Sequence, residues 1–527
     1  MGWSTDFRIA LNQPEIYPRY LIERVSVPSS HLRTFGGNLR LSSFPAGPGY
    51  NPIITLNSTF QGGRLTPRSW TSQPGSFTLG LEGATAFDAR RLAQRGQFIV
   101  LKVGVEFQGT YLYEPVLLAQ LTGINYQRGQ WTLTARGMEG ALNSRLTYDA
   151  GESLLCHDLA ATVVDSNYTA TDANIVVTAT LNNWRSDGNG LAVMKVTPTS
   201  GSPFYITYDP ATVTGTGPYT VPVVTAGAFG TTDADAAAGN AVTEVAYTKG
   251  HPLRIAKRIL VATGTGNNGP DDILPESWGF GIAEEHIDER DIAEHVASTQ
   301  PASGSDNHVL LIDDEVADGQ AFLNSWLNGA GYYLTQIQGQ LTGRAALVPW
   351  LNTISFDITD DDIERAGNVA QLSYQQWAND SANSTEYARC RVLYADTGAG
   401  AGASAVAVVD HHPAQGNNDH TPGGLYSDNA NGTAIAAELV TRLKEWDQRT
   451  PEIIRCTLIG LRAALLAPGD SVRFSTSLII SRDGEAFDRR PATVLRASPN
   501  WFGSTVEVEL ALLPDDESAI PWRFVPV

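Results

Sequence analysis

The sequence predicts a multidomain α+β protein, predominantly β, with short helices packed against its sheets. Apolar and β-branched residues fall in short runs separated by Gly, Pro, Asn and Asp, the pattern of strands and tight turns. Helical periodicity is confined to a few brief segments. A length of 527 residues exceeds what one ordinary core organises, so several domains are expected.

Residues 1–150 read as a first β-rich domain. SFTLGLEG (76–83) and the segment 98–137 carry glycine-punctuated strands. Within the latter, YQRGQWTLTARG predicts a hairpin turned at Arg128-Gly129, with Trp131, Leu133 and Ala135 on one face. TAFDARRLAQRG (85–96) has helical character and stops at Gly96. Residues 151–250 predict a small all-β domain inserted between its neighbours: IVVTATLNN, LAVMKVTP, FYITYDP, YTVPVVT and AVTEVAYT are short strands with few helix formers among them.

Residues 251–350 predict an α/β domain. HPLRIAKRILVATG (251–264) is an amphipathic helix with Leu253, Ala256, Ile259 and Leu260 as its apolar stripe. HIDERDIAEHVAS (286–298) is an acidic helix. DDEVADGQAFLNSWLNGAG (313–331) is a third, with Asp313 or Asp314 as its cap and Phe322, Leu323, Trp326 and Leu327 as its buried face. YYLTQIQGQLTGRAALVP (332–349) follows as a hairpin turned at Gly339 or Gly343. Residues 351–527 predict a C-terminal β-rich domain: EYARCRVLYAD (386–396) alternates as a strand, TAIAAELVTRLKEW (433–446) is amphipathic, and four strands starting at IIRCTLIGL close the unit.

Composition narrows the function. The net charge of −20 argues against a surface that grips nucleic acid, which needs clustered Lys and Arg. It suits simple solubility, and equally a surface that DNA passes without sticking. No apolar run is long enough for a membrane span, so no membrane anchor is expected. The opening MGWSTDFRIALNQPEIYPRY lacks a basic stretch followed by an apolar one, so no secretory leader is expected, and Met1-Gly2 reads as ordinary initiation and not as a myristoylation signal. Cys156, Cys390 and Cys456 match no zinc-ligand spacing and read as small buried apolar residues of a chain assembled in a reducing cytoplasm.

The candidates for chemistry are weak. Asp410, His411, His412, Asp419 and His420 form the densest potential metal set, in a Gly- and Asn-rich stretch that reads as a loop. Asp360, Asp361, Asp362 and Glu364 lack calcium-loop spacing and are better explained as acids at a helix N-terminus. Asp313, Asp314 and Glu315 are read as first-turn helix acids, and Asp271, Asp272 and Glu276 have no identifiable partner. GTGNNG (264–269) follows a helix and lacks the Lys-Ser/Thr pair of a phosphate loop. Trp70, Trp278 and Trp350 read as core before contact residues. No catalytic, cofactor-binding or metal residue is assigned.

Three stretches carry a family resemblance: DDEVADGQAFLNSWLNGAGYYLTQIQGQLTGRAALVP; ITDDDIERAGNVAQLSYQQWANDSANSTEYARCRVLYAD; and IAAELVTRLKEW with LAPGDSVRFS and TVLRASPNWFGSTVEVELALLP. In the last, Pro468-Gly469-Asp470 launches a strand, and a turn containing Trp501 and Gly503 links the final pair. Their order over residues 250–515 resembles the trimeric hub proteins at the tail tip of tailed phages. The resemblance implies two related β-barrel-like tube domains, the first within residues 1–150, by which a homotrimer presents six similar surfaces to a hexameric tail ring. It implies as partners the distal tail or tail tube protein, tail fibre or tip proteins and the tape-measure protein, with DNA leaving through the channel, and a place in the virion at the tail tip. Some relatives hold an iron–sulphur cluster on four cysteines, which three scattered cysteines do not match. Two alternatives stay open: a tail-associated glycan-degrading enzyme, motivated by scattered carboxylates on a β-rich frame, and a carbohydrate-binding adhesion module.

Overall fold

The computed structural model describes residues 3–13, 16–25, 39–44, 46, 51–52, 54, 59–66, 72–81, 96–127, 130–142, 161–179, 181, 190–261, 282–298, 308–313, 318–345, 356–376, 389–394, 403–408, 419–420, 437, 440, 452–480 and 486–512. It is predominantly β, with short helices, as predicted.

The N-terminal part opens with α1 (Thr5–Ala10), whose Ser4 side chain accepts from the Phe7 amide and caps the first turn. Ten strands follow: β1 (Arg19–Arg24), β2 (Arg40–Ser42), β3 (Asn51–Pro52), β4 (Thr59–Gln61), β5 (Arg64–Leu65), β6 (Ser72–Gln73), β7 (Ser76–Leu81), β8 (Phe98–Phe107), β9 (Thr110–Gln127) and β10 (Gln130–Gly137). Eight of them make one sheet, in the order β3-β2-β1-β8-β9-β10-β7-β4. The β8–β9 turn is tight: Gln108 and Gly109 both have positive φ, matching the twist of the flanking strands. The predicted β9–β10 hairpin is present, with Leu133 and Ala135 buried and Trp131 half-buried. The helix α2 (Met138–Ala141) ends this part. The helical reading of 85–96 lies outside the described residues except at Gly96, which has φ +89.

The next six strands are β11 (Ala161–Val163), β12 (Asn174–Val177), β13 (Ala192–Thr197), β14 (Phe204–Tyr208), β15 (Tyr219–Ala228) and β16 (Ala241–Gly250). They pair in the order β11-β16-β13-β14-β15-β12. A bridge from Val177 to Val164, just past β11, brings the last strand back to the first. Among the described residues the pairing therefore runs round the unit as a small barrel. Phe204, Ile206, Tyr208, Met194 and Val196 fill it. The far end of β16 runs out of the barrel and pairs with β17 (His308–Ile312).

Three helices follow: α3 (Pro252–Val261), α4 (Glu289–Ser298) and α5 (Gly319–Gly329). The predicted stripe of α3 is buried. In α5, Leu323, Trp326 and Leu327 are buried as expected and Phe322 is half-buried, but the cap is Asp318, whose carboxylate accepts from the Ala321 amide. This corrects the assignment to Asp313 or Asp314. Asp313 instead directly follows β17, held by Lys195 at 2.6 Å and the Tyr205 hydroxyl at 2.9 Å. The hairpin β18 (Tyr332–Ile337) and β19 (Gln340–Ala345) turns at Gln338-Gly339, both with positive φ, while Gly343 sits inside β19 opposite Leu334.

The C-terminal part contains β20 (Phe356–Ile358), β21 (Arg365–Ala366), β22 (Val369–Ala370), β23 (Leu372–Gln376), β24 (Arg389–Tyr394), β25 (Ala403–Val408), β26 (Asp419–His420), β27 (Glu452–Ile459), β28 (Ser471–Ile480), β29 (Ala486–Asn500) and β30 (Thr505–Leu512). Its main sheet has the order β20-β28-β29-β30-β27-β23, and β5 from the N-terminal part joins it along β29. The predicted four closing strands are β27 to β30. Of the predicted helix 433–446, only Ala437 and Val440 are described, both helical.

The two main sheets share one plan. Read across the N-terminal sheet, β1-β8-β9-β10-β7-β4 matches β20-β28-β29-β30-β27-β23, position for position and in the same chain order. Each is a meander of three long strands whose third member is flanked by the strand that precedes the meander. They differ at one place: β1 runs antiparallel to β8, whereas β20 runs parallel to β28. One continuous apolar core joins both sheets, from Trp3 and Phe7 through Leu101 and Leu133 to Val494 and Leu510.

Candidate functional site

The hairpin β18–β19 forms the joint on which both sheets bear. On one side it meets the turn before β28. Tyr333, wholly buried, donates its hydroxyl to the Pro468 carbonyl at 3.0 Å. Gly469 has φ +91, where glycine is favoured because it has no Cβ. Arg344 is the centre of this side. Its Nε and Nη2 reach both oxygens of Asp291 on α4 at 2.9 Å, and its Nη1 reaches Asp470 at 2.7 Å and the Pro468 carbonyl at 3.1 Å. The Thr342 hydroxyl completes Asp291, and the Ala467 amide completes Asp470.

Burying three charges costs several kcal/mol per ion, about what bidentate geometry and full hydrogen bonding must offset. The fork-shaped guanidinium meets that requirement here. Burial pulls the Arg344 pKa down, but Asp470 and Asp291 more than reverse it, and the net shift is upward. Burial likewise pushes Asp291 up, and Arg344 outweighs it, so its carboxyl titrates below the ordinary range. His295, one turn along α4, is pushed down to about 4 by burial and by the nearby Arg344.

On its other side the hairpin clasps the N-terminal sheet. Gln336 exchanges hydrogen bonds with the backbone of Leu118, accepting from its amide at 3.0 Å and donating to its carbonyl at 2.8 Å. The same amide group donates to Glu139, a buried carboxyl at the start of α2 whose pKa burial raises. The Gln338 side chain accepts from the Trp3 amide at 2.7 Å, and the Trp3 indole donates to the Pro115 carbonyl at 2.6 Å.

The turn between β29 and β30 then plugs into the N-terminal part. Trp501, 2% exposed, lies 6.4 Å from the Trp3 ring, and Phe502 lies 5.0 Å from the Tyr20 ring on β1. Below it, Gly62 passes so close to β29 that a Cβ would stand 1.9 Å from the Ala497 carbonyl oxygen. Arg64 and Arg455 share the buried carboxylate of Glu509 at 2.7 and 3.3 Å.

Beside the joint opens a cleft of about 840 Å³ that reaches from α1 to α4. Glu284, Glu285, Asp288, Glu289 and Glu294 give it an acidic wall, with Arg8 and Arg290 as its basic residues. Lys257 binds Glu289 at 2.6 Å and Arg290 binds Glu294 at 3.1 Å. Glu139, the carboxyl with the raised pKa, does not line it.

Most residues singled out from sequence fall elsewhere. Asp360 to Glu364 do not start a helix. They form the turn between β20 and β21, where Asp362 accepts from the Thr359 amide and hydroxyl, and Asp360 accepts from Ser477 and Thr476 on β28. These side chains already serve the turn, which corrects the helix reading. Asp419 and His420 form β26, paired with β24 at Arg389 and Cys390. Asp410, His411, His412, Asp271, Asp272, Glu276, Asp314, Glu315, residues 264–269, Trp70, Trp278, Trp350 and Cys156 lie outside the described residues. Among the described residues no group of three or more His, Cys, Asp or Glu side chains could hold a metal. Cys456 is buried and free, its thiol pushed up to about 12 by burial. No helix among the described residues is long and apolar enough to cross a membrane.

Sequence reasoning missed Arg344, Asp291 and Asp470 as a set, and Gln336 with Glu139. The one signal for Arg344 is its place as the lone cation in the sequence LTGRAALV.

No family model matches the chain, and no curated protein matches it. Three solved structures are similar in outline. The 43 kDa tail protein of prophage MuSo2 from Shewanella oneidensis is 9% identical, with a TM-score of 0.37 over 94% of this chain and 98% of its own. The virion of a native gene transfer agent particle contains a chain 12% identical, with a TM-score of 0.34 over 69% and 88%. The prophage tail protein gp18 of Listeria monocytogenes is 8% identical, with a TM-score of 0.33 over 89% and 92%. Similarity of this extent assigns neither a fold nor a function to the chain.

Proposed function

We propose that this protein is a structural component of the tail of a tailed phage: the hub at the tail tip, a homotrimeric ring that joins the tail tube or distal tail ring to tip or fibre proteins. The observation that carries this reading is the repeated strand order of the two main sheets. A chain holding two like sheets converts three-fold symmetry into six similar surfaces when three copies close a ring, which suits a six-fold ring above it. The rigid joint supports the same reading, because two sheets must keep a fixed relation for all six surfaces to match. The order of motifs over residues 250–515 adds to it. Four units follow in this reading: a ring-facing sheet within 1–150, an inserted barrel within 151–250, a hub unit within 251–350 and a closing sheet within 351–527.

The tape-measure end and the departing DNA would lie within the ring, where a net charge of −20 disfavours adhesion to phosphate. No catalytic role is assigned. Sedimentation and negative-stain imaging of the purified protein test the proposal. The expected result is a ring of three times the 56.6 kDa chain mass that binds its tail-tube partner. A protein that stays monomeric at micromolar concentration and with the partner present sinks it.

A further inference from the structure

The repeat of the two sheets has one asymmetry. In the C-terminal sheet the meander's second hairpin, β29–β30, ends in Trp501 and Phe502, and these are seated on Trp3 and Tyr20 of the N-terminal part. The matching hairpin of the N-terminal sheet is β9–β10. Near its end Tyr126 packs against Trp131 with ring centroids 4.9 Å apart, yet Tyr126 is 60% exposed, against 2% for Trp501. The same device is thus occupied in one half of the chain and open in the other.

On the C-terminal sheet the end of β28 carries exposed apolar side chains. Tyr20, which receives Phe502, pairs with Val103, the sixth residue of β8. The sixth residue of β28, the matching strand, is Thr476, itself buried and bonded to Asp360. Beyond it Leu478 is 42% and Ile480 63% exposed. β20 pairs with β28 from Val472 to Phe474 and Asp360 just beyond it bonds Thr476 and Ser477, so Leu478 and Ile480 stay exposed, whereas β1 runs along β8 as far as Gly104.

We propose that the β9–β10 hairpin, through Tyr126, seats on the end of β28 of a second copy of this chain, at Leu478 and Ile480. The contact seats the open hairpin on a second copy, as β29–β30 is seated on the N-terminal part within one. The inference rests on the ring reading above and specifies which surfaces close it. Tyrosine at such a position suits an interface anchor, being large, rigid and amphipathic. Exposed apolar side chains on a strand end also favour a covered state.

Two measurements on the full-length protein test it. Sedimentation velocity at micromolar concentration is expected to show three chains for the wild type and one for Tyr126→Asp and for Ile480→Asp. Circular dichroism should show both variants folded. A photo-crosslinking residue at position 126, in a mixture of isotopically light and heavy chains, is expected to join peptides of different copies that contain Leu478 or Ile480. A trimer that both variants form as readily as wild type, or cross-links confined to one copy or to another surface, overturns this contact and leaves the ring reading standing. A wild type that never oligomerises, even with its tail-tube partner, overturns both.

Discussion

A Cβ built on Gly469 would stand 2.0 Å from the hydroxyl oxygen of Tyr333. The hydroxyl occupies that space because it donates to the carbonyl of Pro468, the preceding residue. The turn before β28 is therefore a socket for the β18–β19 hairpin, shaped by one missing side chain.

Gly469→Ala should be costly for two separate reasons. The residue has φ +91, unfavourable for alanine, and the methyl group collides with a buried hydroxyl. Together these are expected to lower stability by about 2–4 kcal/mol. Tyr333→Phe in the same chain removes the collision but not the backbone strain, so it should restore part of the loss. Thermal unfolding of the two single variants and the double variant reads both contributions, and full additivity would contradict the shared space.

Arg344→Met should destabilise by about 3–5 kcal/mol, because it leaves Asp291 and Asp470 buried without their cation. Arg344→Lys should recover little, since an ammonium cannot span both carboxylates with a planar fork. Denaturant midpoints for the two variants check this. A lysine variant as stable as wild type would mean that charge alone, not geometry, holds the joint.

These two predictions show where the sequence was legible. Strands of the small barrel, the β9–β10 hairpin and the stripe of α3 follow from local alternation and periodicity, and the structure has them. The segment DDEVADG offers several aspartates as caps, and local pattern cannot rank them. Asp313 is drawn away by Lys195, 118 residues distant, and Asp318 takes the role. Pro468-Gly469-Asp470 reads locally as an ordinary turn, since Tyr333 and Arg344, which make it a joint, lie 135 and 126 positions away. Trp501 likewise reads as a turn residue until Trp3 is placed beside it. Long-range pairing of this kind has no periodic signature.

Stability should fall on acidification, from about pH 6.5 toward pH 4. His295 titrates near 4 in the folded chain, below the ordinary histidine value of 6.5. The unfolded chain therefore binds more protons between those values. The stabilisation is present in full above 6.5 and is lost as pH falls through the folded pKa. The loss from this residue is up to about 3 kcal/mol. His251, pushed down to about 3 by burial and by nearby His308 and Arg254, acts in the same direction over a range extending lower. Melting temperatures between pH 7.5 and 4.5 check it, and His295→Gln should flatten the dependence.

Glu139→Gln tests the opposite sign. Burial raises the Glu139 pKa, so its contribution favours the fold at low pH and is lost as pH rises through the folded value. An amide of the same shape carries no charge to desolvate. The variant should therefore gain stability over wild type at pH 8, by about 1 kcal/mol or more, and lose that advantage near pH 4. The alternative is that the Gln336 amide, which donates to this carboxylate, depends on its negative charge. In that case Glu139→Gln would be destabilising at pH 8, and the clasp between β18 and the N-terminal sheet would be an ionic hydrogen bond that outweighs burial. The difference in melting temperature between pH 4 and pH 8 separates the two by its sign.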